Sequence, residues 1–333
     1  MLAIVAGHIW VDGPARPFLY SWHVPIFFVL SGYLWKVGRS FSRELKNRVR
    51  SLLVPYAVWM TLLGAVTVGI GSAQDGFDPI GLAQLLWGGQ LATDGPFWAM
   101  WFVTALFFAA IVYWPMSRLP LAGQWAVAIA LFIAAAYIPG HPARFLPLSL
   151  GLALACIVFI VAGRSMRQAR QMVRHPIATG AVLLTGSFAL IVLGWSQPLD
   201  LKRLDVGTPV VSTLVAVALS FGFILISEGL LGGDSVRAQA KPRVRQKRRS
   251  DGIGPLPRVV TALAQSSLTV LFIHPAVIIG LRLLDLPKSV VFLLSIGIAW
   301  PVGLLLLRLP YTRAVTGLKP ARATTPGSVD SVG

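Results

Sequence analysis

Apolar runs of about 20 residues recur from one end of this sequence to the other, and few soluble folds could bury them. They lie at about 18–36, 51–72, 97–116, 121–138, 146–163, 177–195, 210–231, 260–283 and 289–308. A tenth apolar stretch, 1–11, is only half as long. At 1.5 Å per residue, a helix needs about 20 residues to cross the hydrocarbon core. Hydrophobic residues make up 56% of the 333 and charged residues 12%, against about 45–50% and about 25% in soluble domains. The sequence therefore predicts an all-α fold, a polytopic transmembrane bundle of about ten helices, with the first one truncated and its true start upstream.

The charges are distributed as topology would have them. Six basic residues lie between Lys36 and Arg50, four between Arg164 and Arg174, eight between Arg237 and Arg258, and four from Arg308 onward. The loop 73–96 is acidic and the loop 196–209 is balanced. Ten alternating crossings put every strongly basic block on one side, the cytoplasmic one, together with both termini. The net charge of +17 thus sits in short inter-helix blocks, not on a basic domain, and no nucleic-acid partner is expected. Residues 1–309 read as one transmembrane domain and 310–333 as a cytoplasmic tail. Within the domain, 232–257 lacks apolar periodicity and reads as a disordered basic cytoplasmic loop. Membrane lipids are the expected surroundings. The lone cysteine, Cys156, can form no intrachain disulfide.

Ionisable residues inside a membrane are costly and mark candidate sites. His8 follows Gly7 on the first run. His23 opens the second from the outer side, two positions before Pro25. The connection between the two runs is short, so both histidines should lie in the outer half of the bundle, facing each other or a shared cavity. Either could take a proton from a hydroxyl attacking an acyl carbonyl, or could simply bond between helices. His274, just before Pro275, reads on its own as a kink or packing residue. Arg48 and Arg50 precede Leu52-Leu53-Val54-Pro55-Tyr56 and fit two roles, topology anchors or a fork for a phosphorylated donor. Glu228 could pair with a neighbouring arginine. Nucleotide-binding loops, a serine-nucleophile elbow and a metal-ligand cluster are all missing from the sequence. The aromatic run Phe97-Trp98-Ala99-Met100-Trp101-Phe102 reads as an interfacial belt.

Four segments together resemble the acyltransferase-3 family of membrane acyltransferases, in particular its fucose 4-O-acetylase-like branch. They are Ile4-Val5-Ala6-Gly7-His8; Trp22-His23-Val24-Pro25-Ile26-Phe27-Phe28-Val29-Leu30-Ser31-Gly32-Tyr33; Arg48-Val49-Arg50 with Leu53-Val54-Pro55-Tyr56; and Ser267-Leu268-Thr269-Val270-Leu271-Phe272-Ile273-His274-Pro275. The resemblance implies transfer of an acyl group, usually acetyl, from cytoplasmic acetyl-CoA to a hydroxyl of a glycan or glycolipid at the outer side of the cell membrane. It makes His8 the catalytic base, sets His23 and Ser31 in the cavity wall, and gives the CoA phosphates to Arg48 and Arg50. Acetyl-CoA is then a substrate, and no tightly bound cofactor or metal is expected. The family usually carries an arginine about ten residues before the first-helix histidine, and this sequence begins seven before His8. A transporter of a glycan or lipid intermediate built on the same bundle is the competing expectation.

Overall fold

A computed structural model describes residues 1–74, 87–88, 95–231, 255–309 and 312–318. The expected loop 232–257 and tail 310–333 lie largely outside the described residues, as do the three aspartates of the loop 73–96. Among the described residues every regular element is helical and none is a strand. The fold is an all-α membrane bundle.

The first elements are short. They are α1 (Leu2–Ile9), α2 (Arg16–Tyr20), α3 (Pro25–Tyr33) and α4 (Phe41–Arg48). A π-helical turn, Val49–Leu53, leads from α4 into α5 (Val54–Gln74). Then come α6 (Trp101–Met116), α7 (Leu121–Tyr137), α8 (Leu150–Ala169), α9 (Pro176–Val192) and α10 (Val211–Leu231). The last are α11 (Pro255–Arg282), α12 (Lys288–Arg308) and the single turn α13 (Arg313–Thr316). Five spans pass on length and apolarity as membrane crossings: Phe41–Gly69, Pro147–Met172, Val211–Leu231, Arg258–Arg282 and Lys288–Arg308. Helices α6, α7 and α9 are apolar but shorter. Side chains such as Leu62 and Val66 on α5, Val182 and Val192 on α9, and Leu293 and Leu305 on α12 are exposed. An apolar exterior around satisfied helices is what a bilayer demands, and the chain is a multi-pass membrane protein.

One apolar run departs from the single helix expected of it. Residues 18–36 form α2 and α3, with turns at 21–24 between them. Pro25 has no N–H to give to the helix behind it, and its fixed φ suits the first turn of the helix ahead, where it stands at the start of α3. The break lets the His23 ring turn back on the carbonyl of Leu19.

The central helix is α8, whose buried face runs from Leu152 to Ala162. It packs against α3, α6 and α7. The crossing with α3 is backbone on backbone. A Cβ placed at Gly32 would fall on the carbonyl oxygen of Ile160, and one at Gly163 would fall on that of Val29. Lipid tails are as apolar as leucine, so helices in a bilayer associate where small residues allow close approach. The glycine of the Ser31-Gly32 pair is thus a contact with α8.

The first two basic blocks gather with Arg118 at one end of the bundle. Trp114 Nε1 donates to the Arg39 carbonyl at 3.0 Å, and the Arg118 guanidinium lies 3.3 Å over the Trp114 ring. Arg167 donates to the carbonyl of Tyr33 at 2.9 Å. Glu228 accepts from Tyr33 Oη at 2.7 Å and from Arg170 Nε at 2.6 Å, which ties α3, the turn that ends α8, and α10 together at that end. The arginine anticipated for Glu228 is therefore Arg170, from the second basic block.

Candidate active site

The opposite end of the bundle holds a cavity of about 430 Å³, with His8, His23, Tyr20, Trp98, Lys202 and Arg282 in its lining. The site grows from α1. Gly7 brings this helix close to the turn before α3: a Cβ there would meet His23 Nε2 at 3.4 Å, and the Gly7 carbonyl accepts from Tyr20 Oη at 3.5 Å. The next residue is His8, half-buried, with its carbonyl accepting from Arg282 Nη2 at 3.0 Å. A cation at a helix C-terminus is favourably placed, and this one also lies over the Trp98 ring, 5.8 Å from its centre.

The His8 ring touches two others. Trp98 is nearly parallel to it, with centroids 5.6 Å apart, and His274 lies 5.3 Å away at a tilt of 34°. Among the described residues the imidazole of His8 makes no hydrogen bond to another protein group. Its nitrogens are left for whatever enters the cavity.

The other two histidines are fixed by their own helices. His23 Nδ1 is 2.7 Å from the Leu19 carbonyl, and His274 Nδ1 is 3.0 Å from that of Val270, each four residues back. A carbonyl only accepts, so in both rings Nδ1 carries the hydrogen and Nε2 of the neutral ring is a bare lone pair. The two rings are buried, 6% exposed for His23 and fully enclosed for His274.

Lys202 and Arg282 bring positive charge to the rim. Lys202 Nζ is 3.4 Å from the Trp98 carbonyl. Desolvation in the loop 196–209 pulls its ammonium down to about 8, against the pull of nearby Asp200 in the other direction. Asp200 itself faces two arginines, Arg16 and Arg203, each at 3.8 Å.

The remaining sequence candidates lie elsewhere. Ser31 is at the basic end, where its hydroxyl takes a 3.4 Å contact from Arg48 Nη2, and it is not brought to the histidines. Arg48 also pairs with Glu44 at 2.8 Å and sits 5.7 Å over the Trp35 ring. Arg50 is exposed in the π-helical turn and forms no ion pair among the described residues. Arg48 is thus held by Glu44 and Trp35, and Arg50 stands free of both. Among the described residues no group of three His, Cys, Asp or Glu side chains is arranged for a metal ion.

Two members of the constellation were not placed at His8 by the sequence reading. His274 stands in one of the four segments that resemble the family, but on its own a histidine before a proline reads as a kink or packing residue. Trp98 reads as a belt aromatic until its ring is found on His8.

A bundle of this kind, with a cavity histidine at one end and basic blocks at the other, defines a class of membrane protein, and sequence comparison names it. The family described as "acyltransferase domain", acyltransferase-3, matches residues 1–308, and the chain belongs to that family. It is also similar to the nodulation protein NolL of Sinorhizobium fredii (strain NBRC 101917 / NGR234), with 24% identity over 198 residues. That match covers 53% of this chain and 49% of NolL, so the chain spans about half the length of the curated relative it matches. No solved structure matches.

Proposed function

We propose that this protein is an integral-membrane O-acyltransferase that moves an acetyl group from cytoplasmic acetyl-CoA to a hydroxyl of a glycan or glycolipid at the outer face. The observation that carries the reading is His8: a half-buried imidazole with no hydrogen-bond partner among the described residues, on the wall of a cavity at the end away from the first two basic blocks. Membership of the fucose 4-O-acetylase-like branch is part of the same reading, as is residence in the cell membrane with the C-terminus in the cytoplasm.

The chemistry follows from what neutral imidazole can do. His8 takes the proton of the acceptor hydroxyl as its oxygen attacks the thioester carbonyl. The C–O bond forms, the C–S bond breaks, and the imidazolium returns the proton to the departing thiolate. Arg282 and Trp98 hold His8 in place for this. From Ser31 to Pro25, two residues after His23, is about 9 Å of helical rise, a distance that an extended pantetheine arm can cover from a CoA anchored at the basic end. In proteoliposomes, acetyl-CoA on the basic side and a hydroxylated acceptor on the other should yield acetylated acceptor and free CoA thiol in equal amounts. Thiol release without acceptor dependence would overturn the reading.

The donor assignment makes its own prediction. Arg48→Ala with Arg50→Ala should raise the KM for acetyl-CoA about tenfold or more, as expected for loss of charge-assisted bonds to phosphate, with little change in the KM for the acceptor. Equal effects on both substrates would return the pair to the role of topology anchors.

Orientation can be read from lysine chemistry. With its pKa near 8, roughly half of Lys202 is free amine at pH 8. A membrane-impermeant amine-reactive ester applied to intact cells at that pH should label Lys202 ahead of Lys36 and Lys46. Labelling of Lys36 and Lys46 with Lys202 untouched would reverse the proposed topology.

A further inference from the structure

His274 is enclosed by the bundle, yet its Nε2 has no hydrogen-bond partner among the described residues. Buried polar atoms without partners are rare in folded proteins and invite an explanation. The Nδ1 hydrogen of this ring is committed to the Val270 carbonyl at 3.0 Å, so the ring cannot flip its tautomer to escape. What remains at Nε2 is a fixed acceptor, and the ring beside that of His274 is His8, 5.3 Å away between centroids. His8 has a hydrogen to give and, among the described residues, no protein group taking it.

We infer that His274 is the positioning residue for His8. Its Nε2 accepts the N–H of His8 through one bridging water, and so decides which nitrogen of His8 keeps the lone pair that faces the cavity. The same bond strengthens when His8 becomes imidazolium, because a charged N–H is the better donor. This is the logic by which an orienting acceptor fixes the tautomer of a catalytic histidine, with a second imidazole in place of the usual carboxylate. A neutral acceptor suits the location: a carboxylate buried at this depth would have to be desolvated, whereas an imidazole enters uncharged. His23 has an equally fixed Nε2, but it lies against Gly7 and the ring edge of Tyr20, with centroids 4.9 Å apart. The ring contacts of His8 are with Trp98 and His274.

The inference rests on the reading of His8 as the base, and two measurements separate the failure of one from the failure of the other. The first needs no turnover. The chain has five histidines, few enough to assign by difference, so 15N-histidine protein in lipid bilayers reports each ring by solid-state NMR. His8 should show a single tautomer, one nitrogen bare and the other donating, and His274→Phe should convert it to a mixture. A mixed tautomer of His8 in the unaltered protein would overturn the inference, whether or not the protein transfers acetyl groups. The second is kinetic. With acetyl-CoA and an acetylatable glycan, His274→Phe should lower kcat about 10- to 100-fold, the effect of one hydrogen bond to a charged group. The KM for acetyl-CoA should hold. His274→Gln, whose amide oxygen accepts, should recover most of the loss. Equal losses in the Phe and Gln variants, or unaltered kcat in both, would overturn it. Should His274→Phe fail to fold, the tautomer of His8 in the unaltered protein decides alone.

Discussion

Replacing His8 with glutamine should lower acetyl transfer by about 10²–10⁴-fold, the usual contribution of a positioned general base. Glutamine keeps the polarity and much of the bulk, so contacts with Trp98 and His274 suffer least. The fall should be in kcat, with the KM for acetyl-CoA unchanged, because the donor's phosphates are expected at the far end of the bundle. Initial rates in proteoliposomes give both constants, and the amount of folded protein in each preparation corrects for expression. Transfer that continues undiminished would remove His8 from the mechanism. The same variant addresses the transporter alternative, for which the imidazole would have no hydroxyl to deprotonate. If glycan export continues while acetylation stops, the bundle is an enzyme; if export stops while acetylation continues, it is a carrier.

The second large effect is on the fold. Gly32→Ala should cost at or beyond the upper end of the roughly 1–3 kcal/mol range for overpacked sites. The added methyl falls on the carbonyl of Ile160 in α8, and backbone cannot rotate aside as a side chain can. In a helix interior the intrinsic effect of this exchange is the reverse, a gain of about 0.5–1 kcal/mol. Gly64→Ala on α5 is therefore the natural control: nothing lies within 4 Å of a Cβ there, and the substitution should be neutral or stabilising. Aggregation temperature in detergent and the monodisperse fraction on size exclusion would show the two moving in opposite directions. A Gly32→Ala protein as stable as its parent would mean that α3 and α8 do not cross at this glycine.

What could be read in the sequence was what a membrane writes along a single segment. The apolar runs, the basic blocks at one end and the His8-to-His23 proximity follow from hydropathy, charge and a short connection. Partners set by lateral packing could not be read. In lipid there is no hydrophobic pattern to say which helix meets which, so the pairing of α3 with α8 through Gly32 and Gly163 leaves only two glycines as trace. The same holds for Glu228, whose arginine arrives from 58 positions away, and for Trp98, whose indole belongs to His8. Ser31 shows the limit of a motif. It stands among the residues that most resemble the family, yet its hydroxyl belongs with Arg48. The split of residues 18–36 was foreshadowed by Pro25, a residue that opens a helix as readily as it ends one.

Arg282 holds the carbonyl of His8 from 274 positions along the sequence. This has a consequence in time. During synthesis α1 is made early, and the ring and guanidinium that enclose its histidine are made almost last. Until α11 enters the bilayer, His8 stands in an unfinished wall, and contacts closed across so long a loop form slowly. The proposed site is complete only when the chain is nearly finished. A chain cut short before α11 would leave a membrane protein with most of its helices and neither Arg282 nor His274 beside His8.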